Sequence, residues 1–164
     1  MRGLRCVVDA SLLIDLWRGG ILKTAFRLKA DWMISDLAMA ELRNPPPKSL
    51  LALGLHVTEF YSQDILDIVY LGKQYPALSL PDRAHLVLAR RENAILLSGD
   101  LHLRRAAEAL GLTVHGTLWV LDELIKVGLL SPSQAARSLR QMLSRGCRLP
   151  KEECEKRLRR WEKP

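Results

Sequence analysis

The feature that most constrains the fold is the alternation of short apolar runs with longer stretches of helical periodicity. Five apolar runs, at residues 4–8, 32–34, 55–60, 94–97 and 112–115, are predicted as strands. At least one segment with the spacing of an amphipathic helix separates each run from the next. Strands that alternate with helices favour a parallel sheet with helices on both faces. We therefore predict an α/β fold of three layers, α/β/α, around about five mainly parallel strands.

The predicted helices are numerous, and the last two have no strand after them. They cover residues 11–17, 21–28, 37–43, 63–73, 82–92, 101–110, 118–127, 132–143 and 151–161. A chain of 164 residues suits one domain. We predict that residues 1–130 form the α/β unit and that residues 131–164 form a basic helical extension packed on the same domain.

Composition and charge narrow the class of protein. The chain is 48% hydrophobic and 26% charged, as is typical of a globular protein. Its three cysteines have no metal-ligand spacing, and no apolar run is long enough for a membrane span. We expect a soluble cytoplasmic protein. Residues 132–164 carry ten Lys and Arg against four Asp and Glu, which favours either phosphate binding or a solvated helical face.

Four acidic residues lie where a parallel sheet would gather them. Asp9 follows the first predicted strand, Glu41 lies on the helix after the second, Asp82 opens the helix before the fourth, and Asp100 follows the fourth. Ligands of open parallel sheets bind beyond the carboxyl ends of the strands. Carboxylates that meet there repel one another unless a cation joins them. Oxygen ligands without a Cys or His cluster select Mg²⁺ or Mn²⁺.

Each acid also has a purely structural interpretation. Asp9, Asp82 and Asp100 each stand before or at the start of a predicted helix, where an acidic side chain can cap the first turn. Glu41 lies within a helix, where an exposed Glu is common. The prediction of a metal site therefore depends on all four positions together.

Several short motifs resemble those of the PIN-domain family. They are VVDASLLI at residues 7–14, AEL at 40–42, LPDRA at 80–84, LSGD at 97–100 and GTLWVL at 116–121. Their order and spacing resemble the VapC-type toxin ribonucleases of toxin–antitoxin pairs. The resemblance covers roughly residues 4–130 and says little about the basic extension.

The resemblance implies an endoribonuclease that depends on Mg²⁺ or Mn²⁺ and hydrolyses RNA phosphodiester bonds with a metal-activated water. It implies that Asp9 and Asp100, with help from Asp82, hold the metal, and that Glu41 orients or deprotonates the water. A further acid that some relatives carry beyond the last one is absent here, where residues 101–105 read LHLRR.

Two hydroxyls and two arginines complete the candidate site. Ser11 and Ser98 match the hydroxyl positions that support the metal site in the resembling family. Arg83 and Arg104 lie close to the acids in sequence, so they could contact phosphates or could be solvated helix charges.

The resemblance also implies an antitoxin partner and a homodimer. Two alternatives stay open at this point. One is a catalytically inactive PIN fold that only binds RNA or protein. The other is a receiver-like phospho-switch, which is disfavoured because the last strand is followed by Gly-Thr-Leu-Trp at 116–119 rather than by Lys.

Overall fold

The computed structural model describes residues 3–163, and its centre is a five-stranded parallel sheet. The strands are β1 (Leu4–Val8), β2 (Ala30–Ser35), β3 (His56–Thr58), β4 (Ile95–Leu97) and β5 (Val114–His115). Their spatial order is β3-β2-β1-β4-β5, and every neighbouring pair is parallel. Because β1 occupies the centre, the residue after β1 lies beside the residues that follow β4.

Helices connect the strands and cover both faces of the sheet. They are α1 (Ala10–Arg18), α2 (Leu22–Ala25), α3 (Asp36–Glu41), α4 (Pro47–Ala52), α5 (Ser62–Gln74), α6 (Leu80–Arg91), α7 (Leu101–Ala109), α8 (Thr117–Lys126), α9 (Pro132–Ser144) and α10 (Lys151–Trp161). The α/β fold predicted from the sequence is confirmed.

One helical prediction needs correction, and one helix is additional. The second predicted helix is shorter than residues 21–28, because α2 ends after a single turn. Helix α4 is not among the predicted helices. It begins at Pro47, because the first turn of a helix accommodates the fixed φ of proline and does not need its missing N–H.

The sheet separates two hydrophobic layers. In β1, Cys6 and Val8 face one layer and Val7 faces the other, as expected for side chains that alternate along a strand. The first layer holds α1, α2, α8, α9 and α10, and the second holds α5, α6 and α7. The result is the three-layer architecture.

The C-terminal helices pack into the first layer. Leu139, Met142 and Trp161 are buried in the same hydrophobic cluster as the core residues of α1. Ser138 also donates a hydrogen bond of 2.8 Å to the backbone carbonyl of Gly19. Helices α9 and α10 therefore share a core with the preceding elements, while a functional boundary at residue 130 stays a prediction.

Within residues 3–163, none of the helices combines the length and the apolar character needed to cross a membrane.

Candidate active site

The carboxyl edge of the two central strands brings three of the predicted residues together. Asp9 follows β1, and Ser98 and Asp100 follow β4. In the parallel register Val8 lies opposite Leu97, and the Asp9 amide donates a 3.0 Å hydrogen bond to the Leu97 carbonyl. Residues far apart in sequence thus meet because their strands are neighbours.

Ser98 joins the two acids. Its hydroxyl donates a short hydrogen bond to Oδ2 of Asp9 and accepts one of 3.1 Å from the backbone N–H of Asp100. Its own backbone N–H is bound to the carbonyl of His115 on β5 at 2.9 Å. Ser98 is fully buried, so these bonds fix its hydroxyl in one orientation. The prediction that Ser98 supports the site is consistent with this geometry.

Asp9 is a buried carboxylate, with only 7% of its surface exposed. Burial disfavours its charged form and is the main reason that its pKa is raised to about 6. The hydrogen bonds from Ser98 and from the backbone of Leu12 lower the pKa, but they do not offset burial. A cation next to this carboxylate would remove the electrostatic penalty.

The other two acids lie differently. The negative charge of Asp82 contributes to the raised pKa of Asp9, which places the two side chains within electrostatic reach of each other. Glu41 is the last residue of α3 and is exposed, and its side chain makes no hydrogen bond or ion pair with residues 3–163. Ser11 is also exposed and forms no side-chain hydrogen bond in the same range. The roles predicted for Glu41 and Ser11 therefore stay predictions.

We use the term acidic mouth for Asp9, Asp82, Ser98 and Asp100. All three of its acids also take part in helix capping. Asp9 caps α1 by accepting from the Leu12 amide at 2.8 Å, and Asp100 caps α7 by accepting from the Leu103 amide at 2.8 Å. Asp82 closes a capping box with Ser79 at the start of α6. The capping and site interpretations are compatible, because an ionised carboxylate has about four acceptor positions.

A divalent cation is compatible with the donors of the acidic mouth, although the described residues 3–163 contain no group of three His, Cys, Asp or Glu side chains placed to hold one. The donors are oxygen atoms alone, as Mg²⁺ and Mn²⁺ prefer. Oδ1 of Asp100 caps its helix, while Oδ2 accepts no hydrogen bond from this part of the chain. Asp9 and Asp100 would thus hold the ion, with water completing its coordination.

The two predicted RNA-contacting arginines have different environments. The guanidinium of Arg83 donates to the backbone carbonyls of Ile68 at 3.1 Å and Ser79 at 3.4 Å, across Gly72 of α5. It is thus engaged in holding α6 against α5. Arg104 lies one helical turn after Asp100, and its side chain has no hydrogen bond or ion pair with the rest of residues 3–163. Arg104 therefore has all of its donors without partners in residues 3–163, whereas two nitrogens of Arg83 are engaged, and both phosphate contacts stay predictions.

Sequence reasoning missed two buried polar pairs near the mouth. Asp15 is half-buried and accepts a 2.8 Å hydrogen bond from Thr117 at the start of α8. His85 is almost fully buried, with its Nε2 3.2 Å from Oγ of Ser35 at the end of β2. The sequence did offer one indication for His85, because it lies three residues after Asp82 and therefore on the same face of that helix.

The comparison with family models agrees with this arrangement. A model described as DUF3368, a PIN domain, matches residues 5–163. The match continues past residue 130 and includes α9 and α10, over which the short motifs say little. A search among curated proteins gives no match for the chain. PIN domains are generally nucleases that use divalent metals. Because the family model covers nearly the whole sequence, the chain belongs to the PIN-domain family.

Proposed function

We propose that this chain is an endoribonuclease that depends on Mg²⁺ or Mn²⁺ and hydrolyses phosphodiester bonds in RNA. The observation that carries the proposal is the Ser98 hydroxyl, which ties the Asp9 carboxylate to the backbone of Asp100 at the carboxyl edge of the sheet. This edge is where parallel α/β sheets bind ligands.

The residues of the acidic mouth, together with Glu41 and Arg104, would have separate roles in the reaction. Asp9 and Asp100 would bind the cation, and Ser98 holds the Asp9 carboxylate beside the backbone of Asp100. The cation, when bound, supplies positive charge for the phosphoryl oxygens and lowers the barrier to attack by water. Glu41 would orient the attacking water or accept its proton. Arg104, on the same helix as Asp100, would hold a phosphate of the strand.

Cleavage of a labelled RNA in the presence of Mg²⁺ or Mn²⁺ tests the proposal. We expect Asp9→Asn and Asp100→Asn to lower the rate by about 10²–10³-fold, as loss of a preorganised charge does in other active sites. Asp31→Asn is the matched control, because Asp31 is an exposed acid near the opposite end of β2. Products should end in 5′-phosphate and 3′-hydroxyl, since water is the nucleophile. Cleavage that persists in both mouth variants contradicts the proposal.

One observation favours a second candidate, a PIN fold that binds RNA or protein without cleaving it. Within residues 3–163 no three potential metal ligands come together, and the exposed Glu41 side chain makes no hydrogen bond or ion pair in that range. This candidate predicts that the wild-type chain binds RNA but leaves it intact with either metal. The same assay separates the two, provided that RNA binding is measured on the same sample.

A toxin role extends the proposal to the cell. If the chain is the toxin of a toxin–antitoxin pair, its expression should arrest growth, and Asp100→Asn should abolish the arrest. An antitoxin protein, encoded next to it, should restore growth when co-expressed. Growth arrest by wild-type and Asp100→Asn alike would argue against a toxic ribonuclease.

We also propose that the chain forms a homodimer through α5. Four large apolar side chains of α5, Ile65, Leu66, Val69 and Tyr70, are each at least half exposed. They form an apolar patch that suits a second copy of itself, because a two-fold axis would bury the same surface on both chains. The patch lies in the layer opposite α8–α10, so pairing would leave the surface of those helices open.

The molar mass in solution tests the α5 contact. Wild-type chain should elute as a dimer, and Leu66→Asp, which places a charge on the patch, should elute as a monomer with an unchanged circular dichroism spectrum. Lys151→Asp, at the exposed start of α10 in the opposite layer, is the control and should stay dimeric. A wild-type monomer would refute the proposed dimer.

A further inference from the structure

A basic cavity of about 280 Å³ opens beside the acidic mouth. Residues from α7, β5, α8 and the connection that leads into α10 line it. We call it the arginine cavity and define it by Gly99, Arg104, His115, Trp119, Arg148 and Arg157. Gly99 lies between Ser98 and Asp100, so the cavity and the mouth share one loop.

Two arginines of the cavity are without partners in the described chain. Neither Arg104 nor Arg148 makes a side-chain hydrogen bond or ion pair with another residue between 3 and 163. Arg157 is neutralised, because it binds Asp122 at 2.7 Å and Glu153 at 3.0 Å. Glu153 is the one acid among the lining residues, so the cavity keeps an excess of positive charge.

Two stacked aromatic rings line the same cavity. His115 and Trp119 lie with ring centroids 4.4 Å apart and planes within 3° of parallel. The pKa of His115 is lowered, first by burial and then by the charge of Arg104, so the imidazole is neutral at neutral pH. A neutral stacked pair beside unpaired guanidinium groups combines a surface for a planar base with donors for a phosphate.

We propose that the arginine cavity binds one nucleotide of the RNA strand, next to the phosphodiester that the mouth cleaves. Arg104 and Arg148 contact its phosphate, and its base packs against the His115–Trp119 pair. The inference deepens the proposed function, since it takes RNA as the substrate. It also gives the C-terminal extension a role, because Arg148 comes from the segment between α9 and α10.

Size and position favour a nucleotide within a strand as the occupant. The volume of about 280 Å³ lies just below the roughly 300 Å³ at which pockets for drug-sized ligands begin, so it suits a single nucleotide. Arg104 is four residues after Asp100 on α7, so it lies on the same face of the helix as the cap residue of the mouth. A strand whose phosphate binds Arg104 therefore has its neighbouring phosphodiester close to the acids.

Binding of a fluorescent RNA decanucleotide, measured by anisotropy in EDTA at several KCl concentrations, tests the cavity. Arg104→Ala and Arg148→Ala should each weaken binding about tenfold and lower the slope of log affinity against log salt by about one. Arg105→Ala and Arg159→Ala are matched controls, because both residues are exposed helix arginines outside the cavity, and they should keep the wild-type slope. Trp119→Leu should weaken binding about tenfold and leave the salt slope unchanged.

Three results would overturn the inference. The first is that Arg104→Ala and Arg148→Ala bind RNA as tightly as the two controls do. The second is that Trp119→Leu, with a wild-type circular dichroism spectrum, binds as well as wild type. The third is displacement of the RNA by inorganic phosphate or uridine monophosphate below a millimolar, which would make the occupant a free small molecule.

The test is independent of the proposed catalysis because no divalent metal is present. If the mouth variants keep cleaving while the arginine variants lose binding, the proposed function fails and the cavity stands. If the mouth variants stop cleaving while the arginine variants bind normally, the nuclease stands and the cavity proposal fails.

Discussion

The acidic mouth and the arginine cavity share the loop at residues 98–100, yet their charges are held in opposite ways. In the mouth, Asp9 and Asp100 each receive hydrogen bonds from the protein itself, through Ser98 and the first turns of α1 and α7. In the cavity, the guanidinium groups of Arg104 and Arg148 donate no hydrogen bond to residues 3–163. The chain thus positions its negative groups and leaves its positive groups open to a ligand.

The difference indicates how the two regions would work together. A cation that binds carboxylates needs them at fixed separations, because its coordination geometry is narrow. A phosphate strand needs donors that are free of partners in the protein, because hydrogen bonds to its phosphate oxygens fix its position. Thr117 lines the cavity and donates to Asp15, whose charge contributes to the raised pKa of Asp9, so the two regions are also coupled electrostatically.

The largest effect is expected for the pH dependence of stability, which depends on His85. Burial lowers the pKa of His85 to about 4, so the folded chain keeps it neutral at neutral pH. The unfolded chain binds this proton near pH 6.5. The stability that depends on neutral His85 is therefore full above about pH 6.5 and is lost as the pH falls toward 4, by about 3 kcal/mol.

Urea unfolding at pH 7 and pH 4.5 measures this loss. His85→Gln should show a smaller decrease in unfolding free energy between the two pH values than wild type. His102→Gln is the control, because His102 is exposed at the start of α7. Equal pH dependence in all three chains would mean that His85 is not buried as described.

Loss of the Ser98 hydroxyl should disrupt the mouth and spare the cavity. Ser98→Ala removes the donor to Asp9 and leaves the backbone N–H of Asp100 without its acceptor. We expect cleavage to fall about 10²-fold, with RNA binding in EDTA unchanged. Ser11→Ala is the matched comparison, since the Ser11 hydroxyl forms no hydrogen bond within residues 3–163. A larger loss of cleavage in Ser11→Ala than in Ser98→Ala would mean that the hydroxyl that supports the site is that of Ser11 on α1.

Asp9→Asn should make the metal-free chain more stable although it removes activity. The pKa of Asp9 is raised to about 6, so the folded chain holds its ionised carboxylate at a cost. This cost develops as the pH rises from about 4 to 6, since the unfolded carboxylate ionises first. Above pH 6 the variant should gain about 3 kcal/mol over wild type, and below pH 4 the gain should vanish.

Thermal unfolding in EDTA at pH 7 and pH 3.5 checks this gain. Asp100→Asn is the control, because Asp100 is exposed and should show no comparable gain. Stability that is equal in wild-type and Asp9→Asn chains at pH 7 would contradict the buried, charged carboxylate.

The smallest expected effect lies in the cavity. The charge of Arg104 contributes to the lowered pKa of His115, after burial. Arg104→Ala should therefore move the titration midpoint of His115 upward, as followed by the imidazole resonances in NMR. Arg105→Ala should leave the midpoint in place. If the titration midpoint of His115 is the same in Arg104→Ala and wild type, the Arg104 guanidinium does not lie in the cavity.

Sequence patterns were sufficient for the architecture and for the strand-end acids. Alternating apolar runs located all five strands, and the position after a strand identified Asp9 and Asp100. Both rules depend on local chemistry and on the topology of parallel sheets. They could place Ser98 near the acids but could not show that its hydroxyl joins them.

The cavity was beyond reach of the sequence because its lining comes from separate elements. Arg148 and Trp119 are distant in the chain and meet only because α10 packs into the same layer as α8. Local pattern was also misleading on α5, where Ile65, Leu66 and Val69 have a core-like apolar character and yet are exposed. Trp17 on α1 is likewise 42% exposed.

Binding of Mn²⁺ to the purified chain, followed by electron paramagnetic resonance, tests most directly whether Asp9 and Asp100 share one cation. We predict one Mn²⁺ per wild-type chain and at least about tenfold weaker binding in both Asp9→Asn and Asp100→Asn. Asp31→Asn should bind as wild type does. Equal Mn²⁺ affinity in the wild-type, Asp9→Asn and Asp100→Asn chains would contradict the shared site.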